Sequence, residues 1–170
     1  MSHCADGDPP VPADAGSDTG SDARPDIERV SRRDFEEVWH EQDPSVIPDL
    51  YHADYRGHGF PLLGTVSRTG YRRVSGLFLR AFPDIRFDIH RLDSATGRVE
   101  TDWTFEATHS GWVGPLPPSG ARISVDGWGR HRYEGDRVAE TWLDLDWADL
   151  AGQLGRGYLA AAREKVGTLV

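Results

Sequence analysis

ISVDGWGRHRYEGDRVAETWLDL, Ile123 to Leu145, reads as two β-strands folded back on each other. Successive side chains alternate across a strand, so Ile123, Val125, Gly127, Gly129, His131 and Tyr133 share one face. Asp126, Trp128, Arg130 and Arg132 take the other. Glu134-Gly135-Asp136 supplies the turn, and Val138 to Leu145 returns antiparallel. Upstream, the period of two recurs. Ile85, Phe87 and Ile89 alternate with Arg86, Asp88 and His90. After a turn at Asp93 to Gly97, Val99, Thr101, Trp103, Phe105 and Ala107 oppose Glu100, Asp102, Thr104 and Glu106. Such alternation marks half-buried antiparallel strands.

Helical spacing dominates the first half. Ser31 and Asp34 resemble a helix start, with an acid near the positive end of the helix dipole, and Phe35, Val38 and Trp39 fall on one face. Asp43-Pro44 is a second start signal, a capping acid before proline, followed by Val46, Ile47, Leu50 and Tyr51. Tyr55 to Gly59 reads as a short extended piece and the Gly and Pro run after it as a loop. Tyr71, Val74, Leu77, Phe78 and Ala81 then form a third helix that Phe82-Pro83 stops. Helices first and consecutive strands afterwards predict an α+β fold of four long strands and a short early one.

Composition bounds the rest. The chain of 170 residues suits one domain. Residues 1–26 carry six Asp against one Arg and almost no large apolar groups, predicting a disordered acidic leader. The folded unit should run over 27–155, with a polar, Ala-rich segment over 156–170. The formal charge of −9 leaves 22 acids against 18 bases outside the leader, which argues against a nucleic-acid surface. No apolar run approaches the length of a membrane helix and no signal-peptide core opens the chain, so a cytoplasmic location is expected. The single Cys4 has no intramolecular partner, and the seven histidines show no metal-ligand spacing, so no metal is expected.

Several short segments occur in a telling order: Trp39 in the first helix, Asp54-Tyr55 before the short strand, and Phe82-Pro83-Asp84 closing the third helix. Thr108-His109-Ser110-Gly111, Pro117-Pro118-Ser119-Gly120, Gly135-Asp136-Arg137-Val138, and Asp146 through Gln153-Leu154-Gly155 follow. None is specific alone. Together they resemble the SnoaL-like polyketide cyclase and ester cyclase family of the nuclear transport factor two-like superfamily, over nearly all of residues 27–155. The resemblance implies a cone-shaped curved antiparallel sheet packed on three N-terminal helices around an apolar pocket. It also implies a homodimer formed through the sheet, and cofactor-independent acid/base chemistry on a small apolar oxygenated substrate.

In the family's cyclases a carboxylate on the last strand removes a proton from a carbon flanked by carbonyls, beginning an aldol closure. Counting back from Asp146, that position holds Leu143, and Asp144 points to the other face of a regular strand. A β-bulge near Trp142 would swing Asp144 inward. Without one, Glu140, Asp144 and Asp146 form a solvated or interface-facing acidic row beside Trp142 while Leu143 and Leu145 pack inward; Asp146 or another acid acting alone is the third alternative. His131 lies two residues from Gly129, where the family's pocket histidine would fall, and it can serve as base, donor or hydrogen-bonded core residue. His131 and Asp144 are the candidate catalytic residues. Trp39, Tyr55, His58, Trp103, Phe105 and His109 are candidates for binding the substrate, each with a core or loop-ordering role as the alternative. Leu143 keeps open a hydroxylase-like or epoxide-opening relative, and a pocket without a base would make a non-catalytic binding module. Trp128, on the outer strand face, is expected at the dimer contact.

Overall fold

The structure, a computed structural model, describes residues 23–60 and 63–167. The reading of a disordered leader falls on residues outside this range except at its end. Helix α1 (Ala23–Arg33) already contains residues 23–26, with Asp26 in its first turn and Arg32 and Arg33 in its last, as the helix dipole favours. Ser31 is therefore mid-helix and not a start. From Asp34 to His40 the helix widens into π-helical turns, closed by Glu41 N–H donating to Glu36 O at 2.8 Å. Asp34, Phe35 and Val38 are buried there.

Asp43 caps the next turn as expected, its side chain accepting from Ser45 N–H before the 3₁₀ turn Pro44–Val46. Helix α2 (Ile47–Leu50) follows and the chain extends at once into strand β1 (Tyr51–Phe60), ten residues long. Strand β2 (Gly64–Ser67) occupies the expected loop. Helix α3 (Arg68–Ala81) is capped by the Ser67 side chain and ends at Phe82, before Pro83. Strands β3 (Arg86–Ala95), β4 (Arg98–Thr108), β5 (Arg122–Glu134) and β6 (Arg137–Leu145) are the four expected long strands, β1 is as long as β3 and not the short piece expected, and helix α4 (Trp147–Gly167) follows without a break at 155.

The six strands make one sheet in the order β2-β1-β6-β5-β4-β3. Every pair is antiparallel except β1 with β6, which is parallel. Strands joined by tight turns must run antiparallel, as at Gly135 with φ of +62° between β5 and β6. β1 and β6 lie far apart in sequence and carry no such constraint.

Burial follows the alternation. Ile123, Val125, Gly129 and Tyr133 on β5, and Val99, Thr101, Trp103, Phe105 and Ala107 on β4, face inward. They divide into two apolar cores. One gathers Ile27, Val30, Val38, Ile47, Leu50, Tyr51 and Tyr55 from the helices and β1. The other gathers Phe82, Ile85, Trp103, Phe105, Ile123, Val125, Leu145 and Leu150 from the long strands and α4. Trp39 and Leu143 pack against both and mark the seam.

Candidate functional site

At that seam lies a cavity of about 80 Å³, lined by residues of both cores. That is room for several waters, since one needs about 10–15 Å³ by such a measure. Trp39, Phe78, Phe87, Trp103, Phe105 and Leu143 are among the apolar residues of its wall. Asp34, Tyr71, His131 and Thr141 contribute its polar groups. No Arg or Lys borders it among the described residues.

Three of the aromatic candidates therefore belong to the pocket: Trp39, Trp103 and Phe105. Gly127 explains how Trp103 reaches it. A Cβ there would stand 2.6 Å from Trp103 Cζ3 and 2.8 Å from the Asp144 carbonyl oxygen, so only glycine lets the indole lie across the strand. Phe87 stacks edge-on against Trp103, with ring centroids 5.0 Å apart, and tightens that wall.

His131 also borders the cavity. It sits opposite Thr141 in the β5–β6 ladder, with Nδ1 3.0 Å from Thr141 Oγ1, and its ring leans over Gly129, where a Cβ would lie 3.0 Å from Nε2. Burial pushes its pKa down to about 4, so the ring is neutral at physiological pH.

Asp34 is the residue that sequence reasoning missed. Its carboxyl is buried at 6% exposure and accepts from the Tyr51 hydroxyl at 2.8 Å. Burial pushes its pKa up to about 7, partly offset by hydrogen bonding from Tyr51 and Trp39. A signal existed. Asp34 falls on the apolar stripe Ile27, Val30, Val38 of the first helix, where a carboxyl in the core requires an explanation. Four phenols surround it: Tyr51, Tyr55, Tyr71 and Tyr133, all pushed up by burial and by the Asp34 charge.

The structure does not bring the other candidates to this cavity. Asp144 is exposed on the outer sheet face, beside Asp102, Asp126 and Trp128, because the β5–β6 ladder runs without a shift from Gly127↔Leu145 to Arg132↔Glu140. The irregularity falls at Ala139 and not near Trp142, so Leu143 takes the inward position. Glu140 and His58 share the outer face too. His58 Nε2 lies 2.8 Å from Glu140 Oε1, and its ring stacks on Trp142 at 5.5 Å, because β1 carries Tyr55 and Gly57 inward and His58 outward. Tyr55 is enclosed in the core behind the cavity wall, its ring edge-on to Tyr51 at 4.8 Å. His109 is fully buried in the β4–β5 connection, where Nδ1 accepts from Ser119 N–H at 3.2 Å. It orders that loop. Among the described residues no group of three or more His, Cys, Asp or Glu is placed to hold a metal ion, and no helix is long and apolar enough to cross a membrane.

A curved sheet packed with helices around an apolar pocket that holds buried ionisable groups defines a class of small α+β domains built around a hollow. The chain belongs to the SnoaL-like polyketide cyclase family, whose model matches residues 29–154. No curated protein gives a sequence match. Among solved structures, a candidate SnoaL-like polyketide cyclase from Jannaschia sp. CCS1 superposes with a TM-score of 0.72 at 16% identity, covering 82% of this chain and 97% of its own. TsrD from Streptomyces laurentii gives 0.68 at 22% identity, with 78% and 96% covered. The candidate hydroxylase AclR from Streptomyces galilaeus gives 0.65 at 23% identity, with 76% and 86% covered. At these identities the likeness is one of fold.

Proposed function

We propose that this protein is a cofactor-independent enzyme of specialised metabolism that cyclises an uncharged polyketide-like molecule by acid/base catalysis of aldol type, or isomerises or dehydrates one. One observation carries the reading. Asp34 and His131 border the same apolar cavity with their ionisation displaced in opposite directions, up to about 7 and down to about 4. Environments that push two titratable groups apart in this way are how one pocket holds both a proton acceptor and a neutral hydrogen-bond donor. A carbon between carbonyls loses its proton to one group while the other stabilises the enolate oxygen. The aromatic wall folds the substrate and excludes water. With no cation at the wall among the described residues, a carboxylate or phosphate would be left unpaired there, which favours an uncharged substrate.

The test is turnover of a panel of neutral polyketide-like β-dicarbonyl compounds by wild type, Asp34→Asn and His131→Ala. Each substitution is expected to reduce product formation by about 10²–10⁴. Undiminished turnover in both would overturn the reading.

A second reading is a hydroxylase-like or epoxide-opening relative, favoured by Leu143 at the cavity wall where the family's cyclases carry their carboxylate. Oxygen uptake or incorporation of labelled water would mark it. Saturable binding with no product at any pH would instead indicate a binding module.

A further inference from the structure

We infer that His40 is the clasp of the cavity: it ties the π-helical turns that carry Asp34 and Trp39 to strand β3, which carries Phe87, and it does so only while its ring is neutral. The inference rests on the reading of this cavity as an active site. It makes His40 a positioning residue, acting through Phe87.

Two walls of the cavity come together at Phe87. Its ring centroid lies 5.4 Å from Phe35 and 5.3 Å from Trp39 on the helical side, and 5.0 Å from Trp103 and 6.1 Å from Phe105 on β4. All five rings border the cavity. Yet β3 is the last strand of the sheet, and among the described residues no further strand pairs its outer edge. The backbone N–H of Phe87 donates to His40 Nε2 instead, at 3.1 Å. Towards the other end of β3, Ser94 Oγ donates to Glu28 Oε1 of α1. His40 is therefore the fastening beside the cavity.

A backbone amide can only donate, so the nitrogen that receives it must keep its lone pair. The neutral His40 ring then carries its proton on Nδ1, which stands 3.3 Å from Glu36 Oε2 and donates to it. Protonation changes one end alone. Nδ1–H still faces Glu36, but Nε2 becomes a donor opposite the Phe87 N–H and the bond is lost. The charged groups around the ring are Glu36, Glu37 and Glu41 from its own segment, and Glu28, Arg29, Arg32 and Arg33 from α1. Arg33 is held by Glu37, at 2.6 and 3.0 Å, and Glu36 gives the cation a partner. From β3, Ile89 adjoins the ring, and Arg86 and Asp88 flank Phe87. Two residues on, Gln42 takes a left-handed backbone with φ of +62° and its side-chain amide donates to the Pro83 carbonyl oxygen. That second fastening does not titrate, so acid frees this strap at the His40 end only.

The experiment is ¹⁵N NMR of the labelled full chain from about pH 8 to about pH 5, following the His40 ring nitrogens and the Phe87 amide, with His40→Gln and His40→Ala beside wild type. At the alkaline end, wild type is expected to show His40 protonated at Nδ1 alone. On acidification the Phe87 amide should move in step with the ring, and its solvent exchange, relative to an unstructured amide at the same pH, should quicken about tenfold, the effect of one lost hydrogen bond. A glutamine side-chain oxygen reaches about as far as Nε2, so His40→Gln should keep the amide protected across the range. His40→Ala should leave it exchanging fast throughout. With a turned-over substrate, His40→Ala is expected to lower kcat/KM about tenfold and His40→Gln to restore it. A neutral ring protonated at Nε2, or a Phe87 amide indifferent to the titration, overturns the inference, and both are read in wild type even if His40→Ala does not fold. Unchanged kcat/KM in a folded His40→Ala overturns it as well. The spectra need no substrate. The expected spectra with no turnover at any pH would therefore end the enzymatic reading and leave the clasp standing.

Discussion

The Tyr51 hydroxyl donates to Asp34 Oδ1 across 2.8 Å in the core, joining the first residue of β1 to the start of the π-helical turns. This bond stabilises the ionised carboxyl against the burial that opposes it. Tyr51→Phe is therefore expected to raise the Asp34 pKa above its value of about 7, by roughly one unit for a hydrogen bond to a charged group. Turnover that depends on the carboxylate would shift its rising limb to higher pH by the same amount. An unmoved pH–rate profile would separate Asp34 from the titrating step.

Stability should show the two cavity groups as opposing slopes. Asp34 is held at about 7 against an ordinary 3.8, so from about pH 4 upward the unfolded chain releases a proton that the native state keeps. Stability falls as pH rises, and levels off above about 7. His131 is held at about 4 against an ordinary 6.5, so as pH drops through that window the unfolded ring takes a proton that the native state refuses. Its contribution is lost on acidification. Each slope is about 1.4 kcal/mol per pH unit, and they cancel between roughly pH 4 and 6.5. Urea melts of Asp34→Asn should show stability rising with pH across this window, and those of His131→Gln should show it falling. Parallel profiles in the two variants would contradict the assignment.

Asp144→Asn is expected to leave turnover within about twofold of wild type, because surface changes away from a site are nearly neutral and this side chain stands on the outer face. Kinetics run beside Asp34→Asn make the comparison. A large loss in Asp144→Asn would return the base to the last strand.

Gly127→Ala should destabilise the fold by about 1–3 kcal/mol through overpacking. The new methyl would press on the Trp103 ring and on the Asp144 carbonyl oxygen at 2.8 Å, and the backbone contact cannot be relieved by a rotamer change. A drop in Tm together with a shift of the Trp emission would report it, whereas an unchanged Tm would mean that the strands part freely.

We also propose that the outer sheet face pairs two copies of the chain, with Trp128, 41% exposed among charged neighbours, at its centre. Trp128→Arg is expected to convert a dimer into a monomer in light scattering at equal concentration. A monomeric wild type would remove the proposal.

Much of this molecule was legible residue by residue. The alternation over Ile123 to Leu145 determined the β5–β6 hairpin, and the Asp43-Pro44 and Phe82-Pro83 signals determined a helix start and a helix stop. Inward placement of Trp103, Phe105 and His131 follows from the same period, because a strand side chain has only two faces to choose from. What only the tertiary structure decided lies between segments distant in the chain. The parallel contact of β1 with β6 turns His58 outward, the regular ladder keeps Asp144 in solvent, and the wide helical turns carry Asp34 into the seam between two cores. Local periodicity states which face a residue occupies, but not which other segment will cover that face. Desolvation of Asp34 comes from that covering, and so does the displaced pKa.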